Sequence, residues 1–187
     1  MSNKCKLFCI AAGMILLSGC AAWQLVKTPR EWKSGKLSAQ LPAGWMKFNS
    51  PQDLLFLTKD GEMLQLIRVF SYKYDNDKEF PLTKKKLAKN MLAQETADLI
   101  INELSLSKDL GNLQITENIP AEIGGEQGFK IVYAYNTPES LEVKVILYGF
   151  QGGDFVYLFQ YQAAKQYYFE KDIAIFDKFI MSLRVYD

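Results

Sequence analysis

The sequence predicts an α+β fold, an antiparallel sheet of about six to seven strands flanked by helices as an α/β/α sandwich, in the order βββ-α-ββββ-α. Three observations carry this expectation. From Lys36 onward, short runs rich in β-branched and aromatic residues alternate with Gly-containing turns. Two other stretches repeat apolar residues at helical spacing. Two of the aromatic strands are apolar on both sides, so both sides of the sheet need cover.

Lys36–Gln40 reads as a strand that ends at the break Pro42-Ala43-Gly44. Asp53–Thr58 and Met63–Tyr72 read as a pair joined through Lys59-Asp60-Gly61-Glu62, because Asp and Gly both tolerate the positive φ of a tight hairpin. Thr83 then offers an N-cap, and Leu87, Met91, Leu92, Leu99, Ile100 and Leu104 mark a helix that ends near Leu104. Four strands follow at about Asn112–Asn118, Gly128–Asn136, Leu141–Phe150 and Asp154–Gln162, the last two closed by Gly152-Gly153. Alternation puts Phe129, Ile131, Tyr133 and Tyr135 on one face of their strand and Phe155, Tyr157, Phe159 and Tyr161 on one face of theirs. Val132, Ala134, Val156 and Leu158 fall on the opposite faces. The closing helix carries a stripe of Phe169, Ile173, Phe176, Ile180 and Leu183, with Glu170, Lys171, Asp177 and Lys178 opposite.

The first residues bear on localisation. Lys4 and Lys6 precede a short apolar run, Leu7 to Leu17, too short to span a bilayer as a permanent helix and fitting a signal peptide. The run ends at Leu17-Ser18-Gly19-Cys20, which resembles the bacterial lipobox. That resemblance implies cleavage before Cys20 and acylation of its thiol. Residues 1–19 are thus expected to be a lipoprotein signal peptide, 20–35 a lipidated tether and 36–187 one domain. Acyl chains contribute about 0.8 kcal/mol per buried methylene, so two or three hold a protein on a membrane stably. Ala21, where retention signals of enterobacterial lipoproteins place Asp, implies the periplasmic face of the outer membrane if the organism has two membranes.

Composition narrows the chemistry. At 187 residues, 49% hydrophobic and 23% charged, the chain has material for one cored domain and is too apolar for disorder. The net charge of +1 gives no reason to expect nucleic acid as a partner. Loss of Lys4 and Lys6 with the signal leaves 20 basic residues of the 22 against 21 acidic ones. Histidine is absent altogether, which removes the imidazole base and the commonest zinc ligand. Cys5 and Cys9 leave with the signal and lipid occupies Cys20, so no disulfide, thiolate nucleophile or cysteine metal site is expected, and no cofactor.

Each motif with chemical potential has a plainer reading. Ser105-Leu106-Ser107-Lys108 matches an S-x-x-K pattern but follows a helix and has no S-D-N or K-T-G companion. Asp75-Asn76-Asp77-Lys78-Glu79 opens like a calcium loop, yet Phe80 stands where Gly is needed and Lys86 where a bidentate Glu is needed. A surface cation site there is set against a solvated acidic loop. Gly124-Gly125-Glu126-Gln127-Gly128 lacks the lysine and following helix of a phosphate cradle and reads as a turn. Among the acids only Glu142 lies in an apolar stretch, and it alternates outward. Lys84, Lys85, Lys86 and Lys89 would occupy the first turns of the predicted helix, where the macrodipole disfavours cations. They are read either as a solvated face or as a docking patch for anionic headgroups or an acidic partner.

The order of elements, the Leu41-Pro42-Ala43-Gly44-Trp45 turn, the Gly124-Gly125 approach and the ending Tyr168-Phe169, Phe176 and Ser182-Leu183 resemble the PsbP-like superfamily. The resemblance covers about Lys36 to Val185. It implies the α/β/α sandwich also seen in a Ran-binding import factor and in small bacterial lipoproteins, and it brings no shared catalytic residue. The expected function is a lipid-anchored cell-envelope binding or assembly-accessory protein without catalytic activity. Its partners would be the membrane, through Cys20, and an envelope protein or anionic envelope component. The alternatives are an envelope enzyme using carboxylate, Ser-Lys or Tyr chemistry, and a small-ligand carrier with a pocket between sheet and helix.

Overall fold

Backbone pairing demands set the architecture, and they are met by two antiparallel sheets in a computed structural model that describes residues 23–74 and 79–186. Before the first helix come β1 (Trp23–Leu25), β2 (Arg30–Ser34), β3 (Leu37–Leu41), β4 (Met46–Phe48), β5 (Leu55–Thr58) and β6 (Gln65–Lys73). Helix α1 spans Ala93–Ser105. It is followed by β7 (Gly111–Ile123), β8 (Glu126–Asn136), β9 (Glu142–Gly152), β10 (Phe155–Ala164), helix α2 (Tyr168–Met181) and β11 (Arg184–Val185). The main sheet runs β1-β4-β5-β6-β10-β9-β8-β7, and a small sheet runs β11-β3-β2.

The α+β class, the antiparallel pairing and the ββββ-α run after the first helix agree with the expectation, although β11 follows that run. The strand count does not, since the main sheet alone has eight strands and the order before α1 is six strands, not three. The additional strands β1, β2, β4 and β11 have two to five residues, too few for alternation to declare itself. β1 and β2 lie within the segment read above as a tether. Trp32 of β2 is buried and packs on Phe179, and the Val26 N–H donates to the Trp45 carbonyl, so residues 23–34 belong to the folded domain.

The largest correction concerns the first helix, which begins at Ala93 and not after Thr83. Lys84 takes a left-handed φ of 57°, which a right-handed helix cannot contain. At Leu92 the backbone N–H donates to Glu95 Oε2 at 2.8 Å, so the reach-back carboxylate sits at the third helical position. Gln151 Nε2 donates to the Met91 carbonyl and to Thr96 Oγ1, fixing this start on β9. Lys84, Lys85, Lys86 and Lys89 therefore sit on a connector, and the expected conflict with the helix macrodipole does not arise.

The chain makes three layers. One face of the main sheet is closed by α2 and the small sheet, burying Trp45, Phe150, Phe159, Tyr161, Phe169 and Phe176 with Leu37 and Leu41. The helix stripe is centred slightly off the predicted line, because Asp172 and Phe179 are buried while Ile173 and Ile180 are only partly so. Asp172 is accommodated there by Gln65 Nε2 at 2.6 Å and Lys59 Nζ at 3.0 Å. On the opposite face α1 packs over β7, β8 and β9, burying Ala97, Leu99 and Ile100 with Phe129, Val145 and Leu147.

Candidate binding face

Both helices are thus accounted for, and among the described residues no helix lies over the α1 face where β1, β4, β5 and β6 form it. Register determines what this open half presents. Trp23, Phe48, Phe56, Arg68 and Gln160 are successive cross-strand partners on β1, β4, β5, β6 and β10, so they form one transverse row. The row continues as Leu147 and Ile131 beneath α1. Ring centroids are 4.8 Å apart for Trp23 and Phe48 and 6.1 Å for Phe48 and Phe56. Trp23 is exposed, and Phe48 and Phe56 are half-buried.

Arg68 stands at the centre. Its Nε and Nη2 both donate to Asp53 Oδ1, at 3.1 and 2.7 Å, while Asp53 Oδ2 accepts from Ser50 Oγ. The guanidinium also lies 5.1 Å from the centre of the Phe70 ring. Phe70, Tyr72 and Phe80 continue the aromatic surface, with centroid separations of 5.9 and 5.6 Å.

Where the open half meets α1 there is a cavity of about 130 Å³, lined in part by Phe70, Tyr72, Phe80, Glu103, Tyr133 and Gln160. Its carboxylate and its amide are already engaged. Glu103 accepts the Leu82 and Thr83 N–H groups on its two oxygens, at 2.9 and 2.8 Å. Partial burial pushes its carboxyl up, but those bonds and the Lys84 charge outweigh burial and hold it below its ordinary value. Burial, aided by Tyr135, pushes the Tyr133 hydroxyl well above its ordinary value despite the Arg68 charge. Gln160 Nε2 donates to Gln162 Oε1. The cavity therefore presents no base or nucleophile titrating near neutrality, and it is smaller than the roughly 300–1,000 Å³ of small-molecule sites. A shallower groove of about 310 Å³ lies between Asn112, Gln114, Tyr135, Asn136 and Glu142. Its carboxylate is paired with Lys165.

The residues singled out from sequence are dispersed. Cys20, with the rest of 1–22, and residues 75–78 of the acidic loop lie outside the described residues. Ser105 Oγ donates to the Ile101 carbonyl in the last turn of α1. Gly124 and Gly125 form the two-residue β7–β8 turn, both at positive φ, and Gly153 with Asp154 forms the β9–β10 turn. The loop before β6 is longer than a tight hairpin, and the Leu64 and Gln65 N–H groups both donate to the Gly61 carbonyl. Among the described residues no three His, Cys, Asp or Glu side chains gather as metal ligands, and no helix is long and apolar enough to cross a membrane.

The lysine run comes to the rim of the cavity. The Lys84 N–H donates to the Phe80 carbonyl and the Phe80 N–H to the Lys85 carbonyl, so Phe80 and the lysines form one tight turn. Lys89 pairs with Asp154 at 3.0 Å in solvent. Arg68 and the Trp23-Phe48-Phe56 row belong to no sequence motif described above. One signal was present, since Arg68 is the lone charge in the apolar stretch Met63–Phe70.

No protein-family model matches the chain, and no curated protein matches it in sequence. Solved structures do. The cyanobacterial PsbP, CyanoP, of Synechocystis sp. PCC 6803 superposes with a TM-score of 0.59 at 14% identity, over 91% of this chain and 99% of that one. The Ran-binding protein Mog1p of Saccharomyces cerevisiae superposes with a TM-score of 0.52 at 10% identity, over 86% and 97% respectively. The chain has the PsbP-like fold shared with Mog1p.

Proposed function

We propose that the protein is a lipid-anchored module of the bacterial cell envelope that binds a partner through its surface and carries out no catalysis. The observation that carries this reading is the open half of the α1 face, where among the described residues aromatic side chains and one oriented guanidinium lie under no helix, whereas α2 and the small sheet cover most of the opposite face. Such a surface of rigid rings around an Arg has the composition of interaction hot spots. The engaged carboxylate and amide and the small volume of the cavity argue against the enzyme and carrier readings. The lipobox supports anchoring at Cys20, and Ala21 supports the outer membrane where there are two. Lys84, Lys85, Lys86 and Lys89 add a cationic margin beside Phe80, suited to an acidic envelope protein.

Site-specific photocrosslinking in intact cells tests the reading. A photoreactive residue at Tyr72 is expected to give a discrete adduct that Phe56→Ser abolishes, while the same residue at Met181, exposed on α2, gives none. Adducts from neither position, or equal adducts from both, would reject the open face as the binding surface.

A further inference from the structure

The proposed anchor also bears on how the domain sits, because the strand nearest to it is an edge. Trp23 begins β1, the outermost strand of the main sheet, and all three β1 residues are exposed. Three peptide units separate Cys20 from Trp23, and at 3.8 Å between successive Cα atoms they span no more than about 11 Å whatever their conformation. With residues 23–34 inside the fold, little free chain is left to lift the domain from the bilayer. From this, and resting on the anchored reading above, we infer that the β1 edge is a membrane-seating surface, with Trp23 and Leu25 in the headgroup region of an anionic bilayer.

Two further features fit that occupant. Trp23 is 37% and Leu25 49% exposed, and they occupy alternate positions on one side of the strand. An indole and a branched aliphatic side by side suit the boundary between headgroups and acyl chains. Charge agrees, since Lys27 lies two residues past the end of β1 and Lys47 of β4 is the cross-strand partner of Gln24. Cations next to an apolar anchor are attracted to anionic headgroups. The interface is hydrated, so the unpaired backbone groups of an edge strand are satisfied there, as they would not be in hydrocarbon. In this seating the open aromatic half lies beside the membrane, within reach of other proteins on the same leaflet.

The experiment uses the full, acylated protein in liposomes of phosphatidylethanolamine and phosphatidylglycerol with brominated acyl chains. Of the three tryptophans, Trp32 and Trp45 are buried, at 6% and 1% exposure, so contact quenching reports on Trp23. Brominated lipid is expected to remove more than half of the Trp23 emission, and Trp23→Phe to abolish the effect. A nitroxide on Leu25→Cys is expected to be more accessible to oxygen than to a water-soluble nickel complex, with the reverse on Met181→Cys. Intact mass separates the two ideas. Absence of lipid on Cys20 overturns the anchored reading and the seating together. A lipidated protein whose Trp23 is unquenched, or whose Leu25 nitroxide behaves like that at Met181, overturns the seating alone. So does protection of Leu25 that rises with protein concentration without lipid, which would show a second copy on the edge.

Discussion

The main sheet gives its two faces unequal treatment. On one face α2 and the small sheet cover every strand from β5 to β9, and Phe150, Phe159, Tyr161 and Phe176 form overlapping rings with no exposed member. On the other, among the described residues, α1 is the one helix and covers the β7–β9 half, and Phe48, Phe56, Phe70 and Arg68 remain partly exposed. Residue types alone do not separate the two, since both are aromatic. Among the described residues, the difference lies in how many covering elements each side receives. Apolar area withdrawn from water stabilises the fold, and apolar area left at the surface is available to a partner.

The largest effect that would contradict this contrast concerns paired Phe substitutions. Phe176→Ala on the closed face is expected to cost about 3–5 kcal/mol, enough to bring a domain of ordinary stability near unfolding. Phe56→Ala on the open face is expected to cost about 1 kcal/mol, because less area is lost and the site opens to solvent. Urea denaturation of the two variants measures both, and equal costs would show that the open half is as integral to the core as the closed one.

A smaller effect is expected where the connector meets α1. The Glu103 carboxylate is held below its ordinary pKa by the Leu82 and Thr83 N–H groups. A depressed carboxylate contributes stability that is fully present above its unfolded value of about 4.5 and is lost as pH falls through the lower folded value. Amide exchange at Leu82 and Thr83 is therefore expected to lose protection on acidification below that value, before the main sheet opens. Glu103→Ala is expected to remove the same protection at neutral pH. Protection that survives both changes would show that the connector is held by other contacts.

The smallest expected stability change belongs to Lys84, Lys85, Lys86 and Lys89 replaced together by Gln. With no helix N-terminus to relieve, and with Lys89 and Asp154 both 63% exposed, the unfolding free energy is expected to move by about 0.5 kcal/mol or less. If the run is the cationic margin proposed here, the crosslink from Tyr72 to its acidic partner should weaken in these variants. The loss should be greatest at low salt, where screening is least. An unchanged yield would leave the lysines as a solvated turn.

Legibility followed element length and chemistry. The long strands β8, β9 and β10 and helix α2 were readable because ten or more residues of alternation or helical spacing outweigh local exceptions. β7 was seen only in its first half. It is an outer strand with register shifts between Gly111 and Gln114 and between Ile115 and Glu117, so its alternation is interrupted. The start of α1 was misplaced because Leu87 and Met91 do face the core, but from a connector pinned by Phe80 and Glu103 and not from a helical turn. The lysines that seemed to break the dipole rule were evidence that no helix was there.

Fold class, antiparallel pairing, the β7–β8 and β9–β10 turns and the absence of imidazole chemistry follow from local patterning and composition, which need no knowledge of distant contacts. The candidate face does not. Trp23, Phe48, Phe56, Arg68 and Gln160 come from five strands, the first and last of these residues 137 positions apart, and nothing near any one of them in sequence encodes the others. They align because strand order and register carry side chains to the same level of the sheet, and Trp23, Phe48, Phe56 and Arg68 stay accessible, unlike the buried Gln160, because α1 docks on β7, β8 and β9, where Gln94 bonds Asn118 and Gln151 bonds Thr96. Pairing and docking are non-local events, so the row exists only once the chain has closed on itself.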